Sequence, residues 1–164
     1  WSMRFEAARA ADDGYAGPDD LRTVPALARY VEGWGRPTDL GVVAVDDTAG
    51  GGAAARGPGL AAAWVRLLRG HEAGYGFVDD ETPELAIAVS PGRRAHGLGG
   101  LMLAELLAAA RTRFPGVCLS VRADNPARRL YERTGFRAVD GSHMTGGDMA
   151  GRPAGTSITM VVRF

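Results

Sequence analysis

The stretch Ser90-Pro91-Gly92-Arg93-Arg94-Ala95-His96-Gly97-Leu98-Gly99-Gly100 joins glycines and two arginines directly ahead of a segment with helical spacing. A glycine-rich turn that opens a helix exposes backbone N–H groups with no intrahelical partner. The helix dipole adds positive potential, and the missing side chains let a ligand approach closely. Arg93 and Arg94 add charge, and a guanidinium binds phosphate through two parallel N–H bonds. The chemistry this pattern suits is the holding of a phosphate or diphosphate. The plainer alternative is a surface turn between a strand and a helix. His96 lies in the turn, where it either touches phosphate or faces water.

Two familiar phosphate loops do not fit. A dinucleotide fingerprint needs glycine where Met102 stands, with an acidic residue placed to receive a ribose. A P-loop needs lysine, and every basic residue here is arginine, which also excludes Schiff-base chemistry and pyridoxal anchoring. Cys118 is the single cysteine, so neither a disulfide framework nor a thiolate-rich metal site is expected. His71, His96 and His143 lack ligand spacing, and no metal is expected. Basic and acidic residues number 19 each, for a formal net charge of zero. Without a basic block the chain lacks the footprint of a nucleic-acid binder. No apolar run approaches the roughly 20 residues that span a bilayer, and no leader pattern opens the chain. These features point to the cytoplasm and to small-molecule or peptide partners.

The 164 residues suit one domain, 1–164. The chain opens on Trp1 rather than methionine, already at helical spacing through Phe5 and Ala8, which fits a domain that lacks an upstream N-terminal strand. Leu27, Tyr30, Val31 and Trp34 predict a second short helix weakened by Gly33 and Gly35. Leu40 to Val45 and Leu60 to Leu68 read as a strand pair with a Gly/Ala-rich connection from Asp46 to Gly59. Glu84 to Val89 alternates cleanly, with Leu85, Ile87 and Val89 on one face and Ala86 and Ala88 on the other, and is the expected central strand. From Gly97 to Arg113 an apolar stripe of Met102, Leu103, Leu106, Leu107 and Ala110 predicts a helix. Val117 to Val121 is the next strand, and Asn125-Pro126 opens another helix that Gly135 stops, with Phe136 folding back onto Leu130 or Tyr131. Phe136 to Val139 and Ser157 to Phe164 are the closing strands. The polar stretch Asp140 to Thr156 between them is long enough to form a lid. The expected class is α/β, in its α+β mixed-sheet form.

Arg94-x-x-Gly97-x-Gly99 at a strand-to-helix junction resembles the signature of the GCN5-related N-acetyltransferase (GNAT) family. Asn125-Pro126-Ala127-Arg128-Arg129-Leu130-Tyr131-Glu132-Arg133-Thr134-Gly135-Phe136 is similar to that family's second motif. The resemblance covers Glu84 to Val139 and implies a GNAT fold, a central, mostly antiparallel sheet flanked by helices and splayed at the acyl-CoA site. It implies acetyl-CoA as co-substrate and an amine of a small molecule or protein as acceptor, attacking the thioester directly. A non-catalytic acyl-CoA-binding or sensor module is the alternative. Exposed strands near the chain's end would permit a homodimer through sheet edges.

By the same resemblance, the backbone of Ile87, Ala88 and Val89 pairs with the pantetheine arm. Arg94, Ala95, His96, Gly97, Leu98, Gly99 and Gly100 cradle the diphosphate, and Asn125 and Arg128 add contacts. Tyr131 matches the proton donor to the departing thiolate; otherwise it is an aromatic packed under Phe136. Asn125 already has complete work as a helix N-cap. A backbone N–H near Ala88 or Val89 would serve the oxyanion. Glu84 is the first choice of base, ahead of Glu81 and Asp80, with solvent as a further proton acceptor. Trp34, Trp64, Tyr75 and Phe77 are either acceptor-pocket aromatics or core.

Overall fold

A computed structural model describes residues 1–8, 10, 14–46, 59–94, 96–142, 144–147 and 153–164. In chain order the elements are α1 (Ser2–Ala8), α2 (Pro25–Ala28), β1 (Leu40–Val45), β2 (Gly59–Arg66), β3 (Glu84–Val89), α3 (Leu98–Ala110), β4 (Gly116–Arg122), α4 (Arg128–Arg133), β5 (Arg137–Ala138), β6 (Met144–Gly147) and β7 (Pro153–Arg163). Short 3₁₀ turns occupy Asp20–Thr23, Gly70–Glu72 and Pro91–Arg93. The strands form one sheet in the order β1-β2-β3-β4-β7-β5, and β6 also pairs with β7. Every pairing is antiparallel except β3 with β4. This is the mixed α/β architecture expected from the sequence.

The alternation along β3 divides the core. Leu85 joins Met102, Leu103, Leu106, Leu107 and Ala110 of α3 and the inward residues of β4 and β7 in the larger cluster, with Ile87 and Val89 packed against it. Ala86 faces the other way, with Tyr30, Trp64 and Leu68. The buried stripe of α3 is thus the one its 3.6-residue spacing predicts. No helix among the described residues is long and apolar enough to cross a membrane.

Three elements differ from expectation. The helix expected around Leu27 to Trp34 is only Pro25–Ala28, because the chain turns through Gly33 at φ 58° and Gly35 at φ 113°. The fully buried Arg66 then collects the carbonyls of Arg29, Glu32 and Gly33. The closing strand β5 has two residues rather than four. The stretch from Asp140 to Thr156 holds a strand, not an open lid: β6 pairs with β7 through Met144↔Ser157, Thr145↔Thr156 and Gly147↔Pro153. The Gly/Ala-rich connection between β1 and β2 falls at residues 47–58, outside the described residues.

Arg66 also fixes the segment that precedes the sheet. Its Nε and Nη2 donate to the two oxygens of Asp39 at 2.9 and 2.7 Å, and Asp39 accepts the N–H groups of Gly35 and Arg36 as well. Burial alone would raise the Asp39 pKa, but the bonds from Arg66 and the two amides outweigh it and hold the carboxyl below its ordinary value. Asp39→Ala strands the buried guanidinium without its counter-charge and should cost about 3–5 kcal/mol in urea unfolding. In the parent protein this contribution is complete above the ordinary carboxylate pKa of about 4 and is lost as pH falls through the lower folded value. Denaturation curves at several pH values check both expectations.

Candidate active site

β3 and β4 run parallel, yet their register contains the single pair Glu84↔Cys118, supported by Cys118 N–H donating to Pro83 O at 3.0 Å. Beyond that point the strands part, and the sheet opens into a cleft of about 820 Å³. Ile87, Ala88 and Val89 form one wall, and Asn125, Pro126, Ala127, Leu130, Tyr131 and Arg133 line another part. Arg93, Arg94, Gly97, Gly99 and Gly100 stand where α3 begins.

The turn into α3 is built as its glycines suggest. Gly97 caps the helix at φ 77°, a left-handed conformation that disfavours any other residue, and its carbonyl accepts from Gly100 and Leu101 at 3.0 and 3.2 Å. Helix geometry leaves the first-turn amides of Leu98 and Gly99 without intrahelical acceptors. A Cβ on Gly99 would come no nearer than 3.7 Å to Leu130 or Val89, and one on Gly100 no nearer than 3.7 Å to Leu130. Packing therefore tolerates side chains here, and what their absence preserves is open space in the cleft. This is the fit expected for a diphosphate that must lie against backbone.

The charged groups at this mouth are already engaged. Arg94 donates from Nη2 to Glu6 of α1 at 2.6 Å and from Nε to Val89 O at 3.3 Å, while Arg93 lies 3.4 Å from Asp46. His96 is not among the lining residues and places Nδ1 2.6 Å from Arg94 O. Leu98 and Arg128 also lie outside the lining, and Arg128 pairs with Glu132 at 2.9 Å. Ala95 lies outside the described residues.

Tyr131 packs against Phe136 and also lines the cleft. Its ring meets Phe136 edge-on with centroids 5.9 Å apart, in a helix stop formed by Gly135 at φ 97° and the bond from Phe136 N–H to Tyr131 O. Among the described residues its hydroxyl has no hydrogen-bond partner. Burial pushes the phenol up to about 12, so it stays protonated through the neutral range. Asn125 lines the cleft, and its Oδ1 accepts from Ala127 N–H at 2.9 Å, which starts the turn into α4.

Glu84 does not line the cleft. It is buried where β3 and β4 come together, and Oε1 accepts from the Tyr30 hydroxyl at 2.7 Å and from Gly76 N–H at 2.9 Å. Oε2 is buried with no hydrogen-bond partner among the described residues. Burial raises the carboxyl's pKa, and the bonds from Tyr30 and Gly76 with the charges of Arg4 and Arg29 oppose the rise. Glu81 and Asp80 are exposed. Trp64 is core, donating from Nε1 to Tyr30 O, whereas Trp34, Tyr75 and Phe77 stay 40–48% exposed.

Sequence reasoning missed the roof. Glu6, Ala7 and Ala10, from α1 and just beyond it, close one side of the cleft, and α1 packs across β3. The available signal was the pair of small residues Ala7 and Ala10 beside an acidic one, too common to stand out. Arg133, which the sequence leaves as either a solvated charge or a contact to the coenzyme's phosphates, is among the lining residues.

Residues 59–138 match the family model described as "Acetyltransferase (GNAT) domain". Solved structures resemble the chain in fold. A ribosomal-protein-alanine N-acetyltransferase from Brucella melitensis is 24% identical, with TM-score 0.58 over 76% of this chain and 68% of that one. A phosphinothricin acetyltransferase from Sinorhizobium meliloti, solved in complex with AcCoA, is 22% identical with TM-score 0.57 over 76% and 60%. A GCN5-related N-acetyltransferase from Kribbella flavida is 18% identical with TM-score 0.64 over 99% and 90%. The chain thus spans about two thirds or less of the length of the first two. A search of curated protein sequences returns no significant match.

If the glycine at position 99 is kept for the ligand rather than for packing, Gly99→Ala should leave unfolding free energy unchanged or raised within about 1 kcal/mol. The same variant should weaken acetyl-CoA binding roughly tenfold, about 1.4 kcal/mol by calorimetry.

Proposed function

From the match of residues 59–138 to the acetyltransferase (GNAT) domain model and the likeness in fold, we propose that the chain belongs to that family and moves an acetyl group from acetyl-CoA to an amine of a small molecule or protein. The observation that carries this reading is the parting of β3 from β4 beside a turn whose glycines have room for side chains and carry none. A narrow split suits an extended arm with amide groups, and the amide-lined turn suits a diphosphate; coenzyme A contains both.

Acetyl-CoA supplies the acetyl group as a thioester. On this reading Ile87, Ala88 and Val89 offer the arm a strand edge that β4 does not occupy. The first turn of α3, with Arg94 and Gly97 to Gly100, holds the phosphates, and Asn125 contributes its side-chain amide. The remaining residues expected at the turn, Ala95, His96 and Leu98, with Arg128 of α4, belong to the same proposal as flanking contacts. A backbone N–H of Ala88 or Val89 steadies the charge that gathers on the carbonyl oxygen.

Two protons then need places. The amine must give one up as it attacks, and the departing thiolate must gain one. Tyr131 is our donor: a phenol pushed up to about 12 keeps its proton until a strong base forms beside it. Glu84 is our acceptor, through water because it does not line the cleft, and its position at the closed end of the split with one oxygen unpartnered among the described residues supports that role. A carboxylate whose pKa burial has raised is a stronger base than a solvated one.

The test is acetyl-CoA consumption against a panel of amines, peptides and aminoglycosides. Turnover with one class names the acceptor, and binding of acetyl-CoA without turnover on any would favour a non-catalytic module. Tyr131→Phe should keep acetyl-CoA affinity within about twofold and lower kcat roughly a hundredfold at neutral pH, the low end of a general acid's contribution. Unchanged kcat would remove Tyr131 from the reaction.

A further inference from the structure

Behind the split lies a buried polar cluster that the cleft does not include. Tyr30, 3% exposed, donates its hydroxyl to Glu84 Oε1 at 2.7 Å and accepts Tyr75 N–H at 3.0 Å. Arg4 of α1, itself buried, lies 4.1 Å above the Tyr30 ring and is tied to Leu27 O at 3.2 Å. The loop Gly74-Tyr75-Gly76 is shaped around this pair. A Cβ at Gly74 would fall 2.0 Å from Glu84 Oε2 and 2.6 Å from the Tyr30 hydroxyl, and one at Gly76 would fall 2.5 Å from the backbone of Leu119. With Gly76 N–H on Oε1 as well, one carboxylate oxygen holds two donors while the other holds none among the described residues.

A buried carboxylate that merely tied the loop down would be expected to satisfy both oxygens. The asymmetry calls for a different explanation. We propose that Tyr30 is a positioning residue, its hydroxyl wired between the Tyr75 amide and Glu84 Oε1 so that Oε2 is left as the one proton-accepting atom. This rests on the reading of Glu84 as the base. Tyr30 touches neither acyl donor nor acceptor; it acts through Glu84.

The consequence is a pH dependence with a defined sign. A donor to the carboxylate favours its ionised form, so removing the Tyr30 hydroxyl lets burial push the Glu84 pKa higher. The groups facing Glu84 are Arg4 from α1, Arg29 and Tyr30 from the segment that follows α2, Tyr75 from the loop and Cys118 from β4. Arg4 and Arg29 remain in a Tyr30→Phe protein, as does the ring on which Arg4 rests. The shift therefore isolates the hydroxyl.

The experiment compares the parent chain, Tyr30→Phe, a chain with 3-fluorotyrosine at position 30, and Glu84→Gln. The readouts are the ¹³C titration of the Glu84 carboxyl without ligand and the pH profile of turnover with the best amine from the panel. In Tyr30→Phe both the titration midpoint and the acid limb should move to higher pH. kcat at neutral pH should fall about tenfold, as expected for a lost hydrogen bond to a charged group, with KM for acetyl-CoA unchanged. The fluorinated phenol is a stronger donor and should move both to lower pH, which keeps the test alive if Tyr30→Phe fails to fold. A midpoint that stays in place in both variants overturns the proposal while leaving Glu84 as base. Full activity in Glu84→Gln removes the base, and the positioning role falls with it.

Discussion

Every extended strand carries N–H and C=O groups that must find partners, and β3 and β4 meet that demand together at a single point. Past Glu84↔Cys118 each strand keeps its outer neighbour, β2 for one and β7 for the other, while the inner edges separate. The molecule thus holds two half-sheets joined at one end, with backbone polar groups facing a gap. Much else in the structure follows from that opening. α3 begins at its mouth, α4 flanks it, and α1 lies across β3 to roof it.

The two ends of the gap differ in character. At the open end stand a helix N-terminus, Arg93 and Arg94, each arginine paired with a carboxylate, and glycines that keep side chains out. At the closed end the charge is a buried carboxylate held by a tyrosine and a loop amide. α1 touches both, because Glu6 pairs with Arg94 while Arg4 covers Tyr30. A ligand that takes up Arg94 must therefore compete with, or share, the contact that fixes this helix.

Elements that speak through period and punctuation were legible. The stripe of α3, the alternation of β3 and the Gly135–Phe136 stop each follow from local geometry that one residue type satisfies best, and the structure reproduces them. Contacts made at long range were not. α2 gives way after Ala28 to a turn whose carbonyls, from Arg29, Glu32 and Gly33, are gathered by Arg66, distant in sequence, and β6 forms because β7 is long enough to pair with a stretch that looks like loop. Of the residues expected at the site, Arg94, Gly97, Gly99, Gly100 and Tyr131 line the cleft, His96 and Leu98 of the same turn do not, and Glu84 is enclosed by Tyr30 and a glycine loop whose sequence says nothing of a carboxylate.

The central claim is that the gap and its glycine turn receive coenzyme A. Amide chemical-shift mapping of the ¹⁵N-labelled protein during titration with coenzyme A addresses it directly. The account predicts the largest shifts at Ile87 to Val89 and Gly97 to Gly100, with little change along the β1 edge. Saturating coenzyme A that leaves those amides unmoved, or moves a different surface, would contradict it.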